Sequence, residues 1–159
     1  MMLQKVILMT MQVTDPFFWE DDEWIFLGAD DVYSLFDPQS FGLSPTSMDT
    51  TCWKGFVVSF RTVKNKLYLD RLEIYCSDNR YPPINNIESV PNKWGYRIYE
   101  NIHLLLQYSG TIIIGKDLIE RFYGRAFIGP HAYKVTFELS FDNGELISKK
   151  ETSGTYKGF

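Results

Sequence analysis

The side chains best placed by type and spacing to do chemistry are four consecutive acids at positions 20–23, inside the stretch FFWEDDEW of residues 17–24. Glycoside hydrolysis needs two carboxyl groups set across a cleft, and a calcium loop alternates its acids with spacers and includes a glycine. The run matches neither pattern. Consecutive acids on a loop more often face water together, so the simplest interpretation of the stretch is a solvated turn.

The same stretch has a second interpretation, as a surface that binds another protein. Aromatic side chains are rigid anchors at interfaces, and acids steer and pair with lysine and arginine on a partner. We predict that a basic protein partner is engaged here and that its active surface is occluded, as by an inhibitor or immunity protein. The predicted partner-binding residues are Phe18, Trp19, Glu20, Asp21, Asp22 and Trp24.

No other pattern in the sequence indicates catalysis, a cofactor or a metal. The two histidines, His103 and His131, and the two cysteines, Cys52 and Cys76, lack the paired spacing of a zinc site. The sequence contains no phosphate-binding glycine loop and no G-x-S-x-G nucleophile elbow. We therefore expect a non-enzymatic binding protein without catalytic residues, metal or cofactor. An uncharacterised enzyme, with a cysteine–histidine pair assembled by the fold, is one alternative.

Charge is unevenly distributed along the chain, whose net charge is −4. Residues 1–80 carry 7 Lys and Arg against 12 Asp and Glu, a balance of −5, and residues 81–159 carry 9 against 8, a balance of +1. An acidic first half attracts basic surfaces and disfavours a nucleic-acid partner, which is held by cations on the protein. No stretch approaches the roughly 20 apolar residues of a membrane span. We expect no membrane partner and a cytoplasmic location with reduced thiols.

The elements that must carry these residues are repeated. Residues 23–36, read EWIFLGADDVYSLF, align with residues 110–123, read GTIIIGKDLIERFY. Each copy predicts a short strand, a glycine turn and a helix with an aspartate near its N-terminus, Asp30 or Asp117. We predict two tandem β-β-α-β-β repeats: repeat one over residues 4–76, a linker over 77–93, repeat two over 94–152 and a frayed tail over 153–159.

Apolar alternation predicts the remaining strands. A strand covered on both faces is expected over residues 5–13, and another over 95–108. Two hairpins are expected, one pairing residues 53–63 with 66–75 and one pairing 133–141 with 145–150.

The register of the first hairpin makes further predictions. Phe60 should lie opposite Leu69, with a β-bulge near residues 70–71 where the apolar phase changes. That register holds Cys52 and Cys76 apart and disfavours a disulfide between them.

Together these elements predict a single α+β domain over residues 1–159, mainly antiparallel, with its two repeats packed as one pseudo-twofold sandwich or barrel-like domain. A barrel of about eight strands can hold one small ligand, so a small apolar ligand-binding β-barrel is the other alternative function. An enclosed apolar cavity of about 300 Å³ or more would favour it. Comparison of the repeats favours the partner-binding surface, because the second copy has only residues 108–109 where the first has 17–23.

Overall fold

The computed structural model describes residues 11–125 and 128–158. Only residues 11–13 of the strand predicted over 5–13 fall in this range, and those three form no strand. The described chain contains ten strands, one α-helix and three short 3-10 helices. The strands are β1 (Asp15–Trp19), β2 (Asp22–Ala29), β3 (Phe56–Val63), β4 (Lys66–Ile74), β5 (Val90–Pro91), β6 (Arg97–Tyr99), β7 (Leu104–Leu105), β8 (Gly110–Leu118), β9 (Tyr133–Asp142) and β10 (Glu145–Glu151). The α-helix is α1 (Val32–Leu35), and the 3-10 helices are Pro38–Phe41, Glu120–Phe122 and Pro130–Ala132.

The strands form one mixed sheet in the order β10-β9-β8-β2-β1-β3-β4-β6-β5, with β7 paired to β4. Its paired strands are antiparallel except β1 and β3, which run parallel with Phe17 opposite Phe60. The sheet curls until β10 meets β4, where Glu145 lies opposite Lys66. Seven strands, from β4 through β1 to β10, therefore close into a ring.

The inside of this ring is filled by alternate residues of its strands, since successive side chains of a strand point to opposite faces. Five strands each contribute a side chain with 1% or less of its surface exposed: Phe17, Phe60, Leu69, Ile112 and Leu139. Burying one such side chain contributes about 1.5–3 kcal/mol. Because each strand is short, its stability comes mainly from this shared interior.

Both predicted hairpins are confirmed. Phe60 lies opposite Leu69, and the register shift at Ser59 leaves Asp70 as the extra residue of the predicted bulge. The β9–β10 hairpin turns at Asn143, whose φ is 48°, and the following glycine, as a type I′ turn requires. Cys52 and Cys76 are free cysteines, in agreement with the predicted register.

The helix predicted over residues 117–123 is wrong. β8 continues to Leu118, which lies opposite Tyr133 of β9, and only a 3-10 helix over Glu120–Phe122 follows. In the first copy a helix does form, as the single turn α1, but its cap is Asp31 and not the predicted Asp30. Asp31 accepts a hydrogen bond from the Ser34 N–H at 3.2 Å. Pairing with β9 extends the second strand and outweighs the same local signal.

The two repeated stretches are neighbours in the sheet, because β2 and β8 pair antiparallel with Phe26 opposite Ile114. The sheet order does not repeat around them. β9 lies directly beside β8, whereas β1 separates β2 from β3. The strand predicted over 95–108 is two short strands, β6 and β7, and the predicted linker contributes β5 and the buried Ile84.

The predicted frayed tail is attached to the sheet as far as it is described. The Thr136 N–H donates to the Ser153 hydroxyl oxygen at 3.1 Å, and the Tyr156 hydroxyl donates to Glu138 at 2.7 Å. Helices in the described ranges all fall short of the length and apolarity needed to cross a bilayer.

Candidate functional site

Residues 17–24, predicted as a loop, form the β1–β2 hairpin. Phe17 lies opposite Trp24, and Trp19 lies opposite Asp22, so the turn contains only two residues, at positions 20 and 21. Both have positive φ, 53° and 63°, the conformation of a type I′ turn. The acids are therefore presented by a tight hairpin and not by a long loop. The aromatic run at positions 17–19 was the available strand signal, and the absence of Asn or Gly from the turn concealed the hairpin.

Strand alternation sends the tryptophans inward. Trp19 and Trp24 are only 9% and 7% exposed and belong to the core, whereas Phe18 is half-buried on the outer face. The four acids at positions 20–23 are all exposed. Of the predicted aromatic anchors, Phe18 is the one whose ring a partner can reach. We call residues 18 and 20–23 the acidic tip.

Arg61, on β3, organises the outer face beside the acidic tip. Its guanidinium carbon lies 4.4 Å from the centroid of the Phe18 ring, its Nη1 lies 3.3 Å from Asp21 Oδ1, and its Nε lies 3.3 Å from Asp70 Oδ1. Asp70 is the bulge residue, so the bulge places a second carboxylate against the guanidinium. Exposed ion pairs contribute only about 0–1 kcal/mol each, so these contacts mainly fix orientation.

Lys116, on β8, flanks the tip from the opposite side. Its ammonium pairs with Asp22 and lies 4.4 Å from the centroid of the Trp24 ring. Glu20 and Glu23 make no ion pair with any other described residue. The acidic tip therefore keeps two carboxylates whose charge is not compensated within the described protein.

Beneath the tip lies a cluster of three rings. Trp19, Trp24 and Phe137 have centroids 5.1–5.7 Å apart, and Trp24 meets Phe137 at an interplanar angle of 85°. The indole N–H groups of both tryptophans are buried and have no hydrogen-bond partner among the described residues. The cluster is a rigid base for the hairpin.

A second candidate site lies at the opposite end of β1, where the strand begins. Asp15 and Lys54 form an ion pair beside a cavity of about 80 Å³. We call this cavity the phenylalanine pocket. It is lined by Asp15, Phe26, Val32, Leu35, Phe36, Lys54, Phe56, Val58 and Phe60.

A larger cleft, of about 390 Å³, lies where the β9–β10 turn approaches β4. Its lining is mostly polar and includes Lys66, Gln107, Asp142 and Glu145. The sequence-based alternative of a ligand-binding barrel called for an enclosed apolar cavity of about 300 Å³, and neither this cleft nor the phenylalanine pocket is such a cavity.

The two cysteines and two histidines, which were considered for catalysis, are buried or packed against aromatic rings. Burial raises the pKa of Cys52 and of Cys76, which favours the thiol over the nucleophilic thiolate in both side chains. The His103 ring stacks on Tyr68 with centroids 4.2 Å apart, and His131 lies edge-on to an aromatic ring. Within the described ranges, no group of three or more His, Cys, Asp and Glu side chains is placed to hold a metal ion.

The acidic tip and the phenylalanine pocket are thus two chemically distinct features at the two ends of one strand. No protein-family model, no curated protein and no solved structure matches this chain.

Proposed function

We propose that the protein is a non-enzymatic binding protein that engages a basic protein partner through the acidic tip. The observation that supports this most strongly is a tight two-residue turn carrying exposed acids, of which Glu20 and Glu23 have no ion-pair partner in the described chain. Like charges held this close repel each other and disfavour the folded hairpin. Lysine or arginine side chains of a partner would relieve that repulsion on binding.

The proposed mechanism is occlusion by a preorganised hairpin. Because the tip is already folded onto its ring cluster, little conformational entropy is lost when a partner binds. Phe18 provides apolar contact area, and Glu20 and Glu23 pair with partner cations. Arg61 and Lys116 hold the two remaining acids in place and limit the negative charge that the tip presents.

The proposal includes a cytoplasmic location. Cys52 and Cys76 are both free and buried, as suits a compartment that keeps thiols reduced. An oxidising compartment would expose newly made chains to disulfide formation before the two thiols were buried.

The test uses two charge-matched double variants. Glu20→Lys with Glu23→Lys reverses the tip, and Glu88→Lys with Asp142→Lys reverses two exposed acids elsewhere. Each replacement of an acid by lysine raises the net charge by two, so the two replacements in either variant raise it from −4 to 0. The probe is a short oligolysine peptide, and the readouts are the association rate at low salt and the shifts of backbone amide resonances.

We expect the peptide to shift the amides of residues 18–23 in the native protein and in the control variant. In the tip variant those shifts should disappear, and association should slow by about tenfold or more. Equal slowing in both variants would mean that only net charge matters, and the tip would lose its proposed role.

We also infer that the two halves of the chain descend from one duplicated unit. The adjacency and antiparallel pairing of β2 and β8 support this inference, since a two-fold axis between equivalent strands requires both. Ile25 and Ile112, which the alignment equates, lie opposite Gly115 and Ala29, so the register is close to symmetric about the midpoint of the pairing.

A further inference from the structure

Asp15 is a charged residue in a series of inward-facing core positions. In β1, Asp15, Phe17 and Trp19 share the inner face, and Asp15 is 8% exposed. Its Oδ1 accepts a hydrogen bond at 3.0 Å from the N–H of Val58, and its other oxygen pairs with the Lys54 ammonium. A buried carboxylate carries a large desolvation cost, and a cation beside it offsets that cost.

The cation that pairs with Asp15 comes from an irregular segment and not from the sheet. Lys54 precedes β3, and its side chain is 41% exposed. Its ammonium also lies 4.6 Å from the centroid of the Phe56 ring. Lys54 can therefore leave the carboxylate and enter water without disturbing a strand, while Asp15 cannot.

The walls of the phenylalanine pocket are aromatic. Phe26 and Phe60 have ring centroids 5.5 Å apart, and Phe36 meets Phe56 at 5.6 Å with an interplanar angle of 65°. About 80 Å³ of space remains among these rings with the lysine in place. Aromatic faces around a carboxylate are the chemistry by which proteins recognise organic ammonium ions.

We propose that the phenylalanine pocket is a binding site for a small primary alkylammonium ion, and that Lys54 occupies its cation position until a ligand displaces it. The ammonium of the ligand pairs with Asp15 and lies against Phe56, and a short alkyl chain fills the apolar space. One carboxylate without further oxygen donors is a poor site for a divalent metal ion, and the aromatic walls favour an organic cation. This site is independent of the acidic tip at the other end of β1.

The experiment compares n-propylammonium with the neutral isostere propan-1-ol. Lys54→Ala vacates the cation position. Lys54→Ala combined with Asp15→Asn also removes the charge, while the amide oxygen of Asn can still accept from the Val58 N–H. The readouts are saturable shifts of the Val58 and Phe56 amide resonances and the change in Tm. Nα-acetyl-lysine amide, added in a parallel arm, distinguishes a peptide lysine from a free amine as the source of the ammonium.

We expect n-propylammonium to bind Lys54→Ala at least about tenfold more tightly than it binds the native protein, because the competing ammonium has gone. Propan-1-ol should bind neither, and the double variant should not respond to either compound. If n-propylammonium and Nα-acetyl-lysine amide both bind, the pocket accepts lysine side chains of peptides. If only n-propylammonium binds, the pocket is a site for free amines.

An equal response to propan-1-ol, or an equal response in the double variant, would overturn the proposal. If Lys54→Ala does not fold by itself, folding on addition of n-propylammonium supports the proposal. A chain that stays unfolded at saturating amine contradicts it.

Discussion

Arg61 and Phe18 lie opposite each other in the short parallel pairing of β1 with β3, and the guanidinium of one stacks on the ring of the other at 4.4 Å. This parallel pairing contains only two residue pairs, and the Arg61–Phe18 contact adds to it. The same guanidinium lies beside Asp21 and Asp70. One side chain thus joins the two strands and lowers the negative charge of the acidic tip.

Replacing Arg61 by alanine should therefore have opposite effects on stability and on binding. We expect the free energy of unfolding to fall by about 1–2 kcal/mol, since a cation–π contact and partly exposed ion pairs are lost. Association with oligolysine should become faster at low salt, because Asp21 is uncovered. Arg80→Ala, at an exposed position outside any ion pair of the described chain, removes the same charge and is the control. Equal acceleration in both variants would assign the effect to net charge.

The ring cluster beneath the tip predicts that the indole N–H of Trp24 contributes little to stability. It has no hydrogen-bond partner among the described residues, so Trp24→Phe should lower the free energy of unfolding by less than about 1.5 kcal/mol. Trp24→Ala should lower it by about 3–5 kcal/mol, because it leaves a cavity. Urea denaturation measures both values. If the phenylalanine variant lost as much as the alanine variant, the N–H would have to make a stabilising bond.

Tyr99 predicts a loss of stability in alkali. Burial raises its pKa to about 12, and its hydroxyl donates to the Pro82 carbonyl at 2.7 Å. The unfolded value is about 10, so the folded state holds the proton more tightly between these values. The protonated Tyr99 hydroxyl therefore makes its full contribution to the free energy of unfolding below pH 10. That contribution is lost as the pH rises through 12.

The measurement compares the native protein with Tyr99→Phe in urea from pH 8 to pH 12. At pH 8 the native protein should be more stable by about 1 kcal/mol, the net value of one hydrogen bond. That difference should narrow above pH 10, because only the native protein has this group to titrate. A difference that stays constant up to pH 12 would show that Tyr99 does not link stability to pH.

Gly144 predicts a large effect of adding one methyl group. It has a φ of 83°, and a Cβ there would overlap the carbonyl oxygen of Leu106. Its N–H donates to the Tyr108 carbonyl and its carbonyl accepts from Leu67, so it links the β9–β10 turn to β4. Gly144→Ala should cost about 2–5 kcal/mol, from backbone strain and overlap together.

Gly154→Ala is the matched control for this substitution. Its φ is 75°, and an added Cβ would meet no atom within 4 Å. Only backbone strain remains, so the expected loss is about 1–2 kcal/mol. Equal losses in the two variants, measured by thermal unfolding, would show that the packing against Leu106 is unimportant.

The sequence predicted what depends on local pattern. The hairpin of β3 and β4, with its bulge at Asp70, followed from apolar alternation alone, and the β9–β10 turn followed from Asn143 and Gly144. What it could not predict depends on distant partners. The second helix is replaced by strand because β9 lies alongside, and the β1–β2 hairpin was concealed by its charged turn.

The candidate sites divide in the same way. The acids of the tip could be named from the sequence, but the burial of Trp19 and Trp24 required the sheet. The phenylalanine pocket was missed because its residues come from β1, β2, β3, α1 and the residue that follows α1, and from the segment before β3. One local signal was present: Asp15 occupies an inward position of an otherwise apolar series.

The pairing of β2 with β8 also decides when this chain can fold during its synthesis. Ile25 lies opposite Gly115 and Ala29 opposite Ile112, so the edge of β2 that β1 does not cover waits for a partner more than 80 positions further along the chain. At ribosomal rates of about 5–20 residues per second, that wait lasts roughly 4–17 s. Through this interval the nascent chain carries an apolar strand with one uncovered edge, the kind of edge that draws in other chains. Shielding of this edge by the ribosome and chaperones until the second half emerges would lower that risk.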